Sequence, residues 1–269
     1  MSYRSILAVL LGLVMLVTTA CSEDLQANNG PLTFDQIHNT GLAALCPEVD
    51  ETARGKIDIA PGKVVALNNL CFQPVKIEVE EERRNGQKEY INTKSFILKG
   101  ATLGPALGQI YAKGDDLEFD VLSGMISQPT TVQLPGREQV PLLFSVNDLK
   151  AIAPGSASGI DRSSEFNGNF KVFGYRGSSF LDPRARGSET GYESAVGLQA
   201  AQDEFQKSSK IDEVTDGDMS IQIARVDPSA GEMSGSFVSY QMSSDEQGTL
   251  EPHPVRIQGV FYAHIAEEA

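Results

Sequence analysis

Hydrophobic and polar residues alternate with a period of two along most of the chain after residue 63. In the segment 75–80, VKIEVE, valine or isoleucine occupies every second position, and lysine or glutamate occupies the positions between. This alternation is typical of a β-strand with one buried and one solvated face. Comparable runs are 89–98, 109–122, 130–134, 140–146, 168–175, 219–226, 235–242 and 255–265. The pattern predicts about eight to ten strands and little helix.

Glycine, proline, asparagine and aspartate separate these runs, as expected for turns between antiparallel strands. The segment 226–232, VDPSAGE, predicts a hairpin turn between two of the late strands. Closure of such a sheet removes its exposed edges. The sequence therefore predicts an all-β fold, an antiparallel β-barrel of about eight strands.

Two short helices are expected beside the barrel. The segment 32–42 has a capping box from Thr33 to Gln36 and ends at Gly41. A second helix is expected at about 194–207. Residues 32–269 are interpreted as a single barrel domain with an inserted head at about 154–208.

The head contains a stretch of about twenty residues, 174–194, without any periodicity, which is uncommon in a compact domain unless it is functional or disordered. It includes YRGSSFLDPRARG, residues 175–187, which shows no strand alternation. Its aromatic and charged side chains are Tyr175, Arg176, Phe180, Asp182, Arg184 and Arg186. Arginine and aromatic residues are concentrated in the cores of protein interfaces, so these residues are candidate docking residues. The alternative is that the loop folds back on the acidic barrel.

The N-terminal residues 1–20 have the layout of a secretory signal peptide, with Arg4 before an apolar run from Ile6 to Val17. This run is too short for a spanning helix. Cys21 directly follows TTA, which resembles a bacterial lipobox. The residues leave open simple cleavage or lipidation at Cys21, and both predict an exported protein. The segment 21–31 is typical of a flexible tether.

The formal net charge is −14, which makes nucleic acid a poor partner for the chain as a whole. Export to an oxidising compartment favours a disulfide between Cys46 and Cys71, the two cysteines that remain after Cys21. Chain-entropy arithmetic for this loop gives roughly 3.5 kcal/mol of stabilisation. We therefore expect a structural cross-link.

Enzyme motifs are scarce, since the chain contains no HExxH, nucleophile elbow, phosphate loop or CxxC. His38, His253 and His264 are scattered, and His264 is expected on the solvated face of the last strand. Carboxylates at 80–82, at Glu138 and in the turn 243–253 are candidate ligands for a hard cation, without the spacing of an EF-hand. The sequence predicts that the chain is not an enzyme.

Several long segments of mixed composition resemble the manganese-stabilising protein family of photosystem II, whose members are extrinsic oxygen-evolving enhancer subunits. The similarity runs from about Leu32 to the C-terminus. The segments that carry it are LTFDQIHNTGLAALCPEVDETARG, LCFQP, VPLLFSV, YRGSSFLDPRARGSETGYESA and EPHPVRIQGVFYAHI.

The resemblance implies a barrel whose head docks on photosystem II core proteins beside other extrinsic subunits, on the lumenal or periplasmic face of the photosynthetic membrane. It implies a non-catalytic subunit that binds no manganese itself but stabilises the manganese–calcium cluster. It also implies a weak calcium site at Glu81, Glu138 and His253, maps the disulfide onto Cys46 and Cys71, and places Asp182 towards a proton-exit water network.

The chain departs from the family in its lipobox-like leader and in two segments: RRNGQK after Glu82, and the acidic turn SSDEQGTLEPH, where Ser244 and Leu250 stand at divergent positions. Two alternatives from other classes remain. One is an exported, lipid-anchored barrel that binds a small ligand in a roomy apolar lumen. The other is an anhydrase- or hydrolase-like enzyme that uses His253 and Glu81 in a deep pocket.

Overall fold

The computed structural model describes residues 45–95, 102–124, 126–172, 178–180, 197–199, 214–244 and 251–266. These residues form fourteen β-strands. The strands are β1 (Val64–Glu82), β2 (Lys88–Asn92), β3 (Lys94–Ser95), β4 (Leu103–Lys113), β5 (Asp116–Gly124), β6 (Ser127–Gln133), β7 (Gln139–Ser145), β8 (Asn147–Ala153), β9 (Glu165–Val172), β10 (Ser178–Phe180), β11 (Gly197–Gln199), β12 (Thr215–Asp227), β13 (Glu232–Met242) and β14 (Pro254–Ile265).

Eight of these strands close into an antiparallel barrel in the order β1, β4, β5, β8, β9, β12, β13 and β14. The closing seam pairs β1 with β14, from Leu67 opposite Ile265 to Val79 opposite Val255. Each barrel strand pairs with the next one along the chain, so the barrel has up-and-down topology. The predicted fold class, an antiparallel barrel of about eight strands, is confirmed.

Phenylalanine side chains fill the barrel interior, because the alternation directs every second residue of each strand inward. The Phe72 ring centroid lies 5.2 Å from that of Phe261 and 5.7 Å from that of Phe237. Phe119 packs on Phe166 at 5.8 Å. The interior is therefore a packed core of interlocking rings.

Two glycines allow the strands to approach each other closely within the wall. A Cβ atom on Gly235 would lie 1.9 Å from the carbonyl oxygen of Gln222. A Cβ atom on Gly259 would lie 2.1 Å from the carbonyl oxygen of Gln73 and 2.6 Å from the Phe237 ring. Glycine is required at both positions because any side chain would collide with the backbone of a neighbouring strand.

The segment before β1 is fastened to the outside of the barrel by the predicted disulfide. Cys46 and Cys71 are bonded, with their Cα atoms 5.5 Å apart, and are buried in a small apolar cluster with Val49 and Tyr262. Further along, Ile59 is buried in the main core. The expected structural cross-link is confirmed.

A three-stranded sheet of β3, β6 and β7 packs against the barrel. Its residues Val132, Leu142 and Phe144 belong to the same buried core as the barrel. The Phe144 ring stacks on Phe237 at 5.8 Å, with an interplanar angle of 11°. The β6–β7 hairpin and the barrel therefore share one hydrophobic core.

One of the two expected helices is contradicted by the structure. Residues 197–199, inside the segment 194–207, form β11, which pairs antiparallel with β10 at 178–180. The helix prediction is therefore wrong at 197–199. The prediction that 175–187 contains no strand is also wrong, because backbone pairing forms a short ladder there without any alternating sequence pattern. The part of the chain that the structure describes contains no helix.

The inserted head begins later in the chain than predicted. Residues 165–172 pair with both β8 and β12 in the barrel, so the stretch between consecutive barrel strands runs from 173 to 214 rather than from about 154. We call this stretch the arm.

The signal peptide, Cys21, the tether and the helix at 32–42 lie outside the described residues. Within the described residues, there is no helix with the length and apolar character needed to cross a membrane.

Candidate functional site

The barrel has two unlike ends, because consecutive connections in an up-and-down barrel alternate between them. One end, which we call the loop end, carries the connections 83–102, 125–146, 173–214 and 243–253. The other end carries the connections 114–115, 154–164 and 228–231, none of which contains one of the fourteen strands. All inserted structure, including the arm, therefore leaves the barrel at the loop end. Connections on a rigid scaffold are where binding residues are usually found.

The arm leaves the barrel from two neighbouring strands. Val172, the last residue of β9, pairs with Thr215, the first residue of β12. In the adjacent residue pair, the Lys171 ammonium contacts the Asp216 carboxylate. The Ser145 hydroxyl donates a hydrogen bond of 2.8 Å to the Lys171 carbonyl. This strand pairing therefore fixes the separation of the arm's two ends.

The predicted docking residues fall within the arm. Phe180 is the last residue of β10, whose backbone pairs with β11, and Phe180 itself lies opposite Gly197. The other predicted docking residues, Tyr175, Arg176, Asp182, Arg184 and Arg186, lie outside the described residues. The β10–β11 pairing gives the arm a hairpin-like ladder.

Two of the three predicted calcium ligands are neighbours at the loop end. His253 Nε2 lies 3.8 Å from Glu138 Oε1. The Glu138 backbone closes the β6–β7 turn through a hydrogen bond of 2.9 Å from the Leu134 amide. The His253 amide donates to Ser243 Oγ at 2.8 Å, which fixes the start of β14. Two separate turns therefore bring these side chains together.

Glu81 is not grouped with this pair. It lies near the end of β1, opposite Glu89 of β2. Among residues 45–95, 102–124, 126–172, 214–244 and 251–266, no three histidine, cysteine, aspartate or glutamate side chains come together as a metal site. The calcium site stays a prediction.

The alternation pattern placed Glu78 on a solvated face, but the structure buries it on the outer wall. Its carboxylate accepts hydrogen bonds from Arg256 Nε at 2.7 Å and from Gln258 Nε2 at 3.0 Å, and Lys76 Nζ lies 2.8 Å away. The hydrogen bond from Arg256 is the main cause that lowers the pKa of Glu78 to about 2. Glu78 is therefore a buried carboxylate that remains charged over almost the whole pH range.

This ion pair is covered by aromatic rings. The Arg256 guanidinium carbon lies 4.6 Å from the centroid of the Tyr90 ring, and Tyr90 packs edge-on against Tyr240 at 6.2 Å. Because Tyr90 is in β2, the cluster fastens β2 to the outer surface of β13 and β14. The chain gives no local signal of this contact, since it depends on the register between strands about 180 residues apart.

His264, which was expected to be solvated, is half-buried. Its Nδ1 atom lies 2.7 Å from Asn68 Oδ1, across the β1–β14 seam. Near it, Tyr262 donates a hydrogen bond of 2.8 Å to Glu232 Oε1. Burial and this hydrogen bond raise the pKa of Tyr262 well above its usual value. The His264–Asn68 pair therefore reinforces the closing seam, and the Tyr262–Glu232 pair joins β14 to β13.

Comparison with known proteins gives a consistent result. Residues 30–265 match the family model described as manganese-stabilising protein / photosystem II polypeptide. The photosystem II extrinsic protein O of Crocosphaera subtropica is 39% identical over an alignment of 275 positions, which covers 100% of each chain. That of Thermosynechococcus vestitus is 40% identical and covers 98% of this chain and 99% of the relative.

A more distant relative extends the similarity to chloroplasts. The oxygen-evolving enhancer protein 1 of Chattonella marina var. antiqua is 36% identical over 248 residues, which cover 88% of this chain and 77% of the relative. Because the family model spans both the barrel strands and the arm, the match concerns the whole architecture and not one motif. The chain belongs to the manganese-stabilising protein family of photosystem II polypeptides.

Proposed function

We propose that this chain is a non-catalytic extrinsic subunit of photosystem II. The observation that carries the proposal is the end-to-end similarity to photosystem II extrinsic protein O. The placement of the arm and of every connection that contains additional strands at one end of a closed barrel supports it, since a rigid body with its inserted structure at one end suits a docking subunit. The subunit docks on the lumenal or periplasmic face of the photosynthetic membrane and supports oxygen evolution.

In this proposal the subunit stabilises the manganese–calcium cluster indirectly. It contacts reaction-centre and core antenna proteins, beside other extrinsic subunits, and so adds binding free energy only to the assembled state. A bound cap also separates the cluster from bulk water and reductants. The chain needs neither a manganese ligand nor a tightly bound cofactor for this role, and the role involves no catalysis.

The alternative of a ligand-binding barrel is not favoured by the described interior. Such a barrel needs a roomy lumen, whereas Phe72, Phe119, Phe166, Phe237 and Phe261 occupy the lumen here. The enzyme alternative needs His253 and Glu81 together in a deep pocket, whereas the near neighbour of His253 is Glu138, at an exposed turn. Lipidation at Cys21 remains a proposal, which mass spectrometry of the mature N-terminus tests.

Reversal of the arm's positive charges is expected to weaken docking. We predict that changing Arg176, Arg184 and Arg186 to glutamate lowers the affinity for photosystem II cores depleted of this subunit at least tenfold, because guanidinium groups suit interfacial ion pairs. The measurement is a rebinding isotherm on depleted cores.

The matched control is the same reversal of Lys56, Lys113 and Arg162, which changes the net charge equally at the end opposite the arm. We expect near-normal binding for this control. Equal affinity of the arm variant and the wild type would rule out the docking assignment, and an equal loss in both variants would show that only net charge matters.

Calcium binding at the loop end is expected to depend on Glu138. We predict that Glu138→Gln weakens calcium binding at least tenfold in calorimetric titrations, because a carboxylate is a far better calcium ligand than an amide. Glu51→Gln, whose carboxylate is exposed and at a different place, is the control. Identical titrations of Glu138→Gln and the wild type would end the calcium proposal.

A further inference from the structure

The β6–β7 hairpin is seated against the inner face of β13. Phe144 stacks on Phe237, and Gln241 Nε2 donates a hydrogen bond of 2.8 Å to the Leu143 carbonyl. Phe237 and Gln241 are four residues apart on one face of the strand, so Ser239 lies between the two contacts. We call this zone the hairpin seat; its residues are Thr130, Leu142, Leu143, Phe144, Phe237, Ser239 and Gln241.

Three side-chain oxygens of the hairpin seat have no hydrogen-bond partner among the described residues. They are Ser239 Oγ, Gln241 Oε1 and Thr130 Oγ1. Ser239 is 0% exposed, Gln241 4% and Thr130 5%. Thr130 pairs with Leu142, which is the neighbour of Leu143 in the chain. The Leu143 carbonyl accepts the hydrogen bond from Gln241. A fully buried polar atom without a partner is costly, so such atoms in folded proteins are usually satisfied by protein or by ordered water.

We propose that the hairpin seat is a binding site for one or two buried water molecules that bridge β13 and the β6–β7 hairpin. The hydrogen-bonding capacity of a water molecule matches that of the three side-chain oxygens. The amide oxygen only accepts, whereas each hydroxyl donates or accepts. A water that donates to Gln241 Oε1 and to one hydroxyl, and accepts from the other hydroxyl, makes three hydrogen bonds, the usual number for a buried water.

The surroundings select a small neutral ligand. The three oxygens carry no formal charge, and the other members of the seat are leucine and phenylalanine. An ion would lose its hydration without gaining a counter-charge there. The β6–β7 hairpin carries Glu138 at its turn, so bound water in the seat helps to set the position of one of the loop-end connections.

A high-resolution crystal structure of the purified protein tests the proposal directly. We expect ordered density within hydrogen-bond distance of Ser239 Oγ, Gln241 Oε1 and Thr130 Oγ1. A seat with no such density would overturn the proposal, and this test does not depend on any variant being able to fold.

Two substitutions distinguish a hydrated seat from a dry one. Thr130→Val and Ser239→Ala remove a hydroxyl with little change in shape. If water bridges these groups, each substitution breaks a satisfied network and raises the unfolding equilibrium constant about fivefold. If the seat is dry, each removes an orphaned polar atom, and stability rises or stays the same. That result would also overturn the proposal. Thr131→Val, on the opposite face of β6, is the control, with an expected change within about twofold.

Discussion

Phe237→Ala is expected to lower the free energy of unfolding by roughly 4 kcal/mol, the typical cost of truncating a buried phenylalanine. Phe237 is 1% exposed and packs on Phe72 within the barrel and on Phe144 of the β6–β7 hairpin. The alanine therefore leaves a cavity at the point where the two sheets share their core. The surrounding strands can collapse only slightly because their backbone pairing holds them in place.

Equilibrium denaturation in guanidinium chloride measures this effect. The control is Val260→Ala on β14, whose side chain is 40% exposed on the outer wall, and we expect a loss below about 0.5 kcal/mol. A loss below about 1 kcal/mol for Phe237→Ala would show that the barrel and the hairpin do not share a tightly packed core.

Glu78→Gln is expected to lower the free energy of unfolding by about 3 kcal/mol at neutral pH. The pKa of Glu78 is lowered to about 2 from an ordinary 4.5, chiefly by the hydrogen bond from Arg256. That difference corresponds to about 3 kcal/mol of preferential stabilisation of the charged carboxylate in the folded state. The glutamine also leaves the Arg256 guanidinium beside a neutral partner in a half-buried site.

The sign of the pH dependence follows from the lowered pKa. A carboxyl whose folded pKa lies below its unfolded value contributes its full stability above the unfolded pKa, and this contribution is lost as the pH falls through the folded pKa. The difference between wild type and Glu78→Gln should therefore be constant above about pH 5 and should shrink between about pH 5 and pH 2.

Denaturation curves recorded at several pH values test this dependence. Glu80→Gln is the control, since Glu80 lies on the same strand face and contacts Lys88 at 3.3 Å in a more exposed pair, for which we expect less than about 1 kcal/mol. A Glu78→Gln effect that is independent of pH down to pH 2 would mean that the ion pair with Arg256 does not hold the carboxylate in its charged form.

The alternation of apolar and polar residues was sufficient to predict the barrel. The segment VKIEVE lies in β1 with Ile77 and Val79 buried as predicted, whereas Val75 is exposed at a register shift between Pro74 and Lys76. The segment VDPSAGE makes the turn between β12 and β13. These features are predictable because burial on one face of a strand is a local, repeating requirement. The cross-link between Cys46 and Cys71 was predictable because only two cysteines remain beside Cys21 of the predicted leader, and the leader predicts an oxidising compartment.

Features that depend on register between distant strands were not predictable. Glu78 looks like any outward residue of an alternating strand, and only its position opposite Arg256 of β14 and near Tyr90 of β2 buries its charge. Phe144 likewise gives no sign that it stacks on Phe237. The strand at 178–180 escaped prediction because three residues are too few to show a period, and the pairing with 197–199 supplies the structure instead.

We propose that a rigid, cross-linked barrel holds the arm against a larger photosynthetic complex. The most direct test is the oxygen-evolving lifetime of photosystem II cores that have been depleted of this subunit and then reconstituted with the chain lacking residues 175–187. We expect this variant to keep a folded barrel, shown by cooperative unfolding, but neither to rebind nor to prolong oxygen evolution. Binding and an oxygen-evolving lifetime equal to those obtained with the full chain would contradict it.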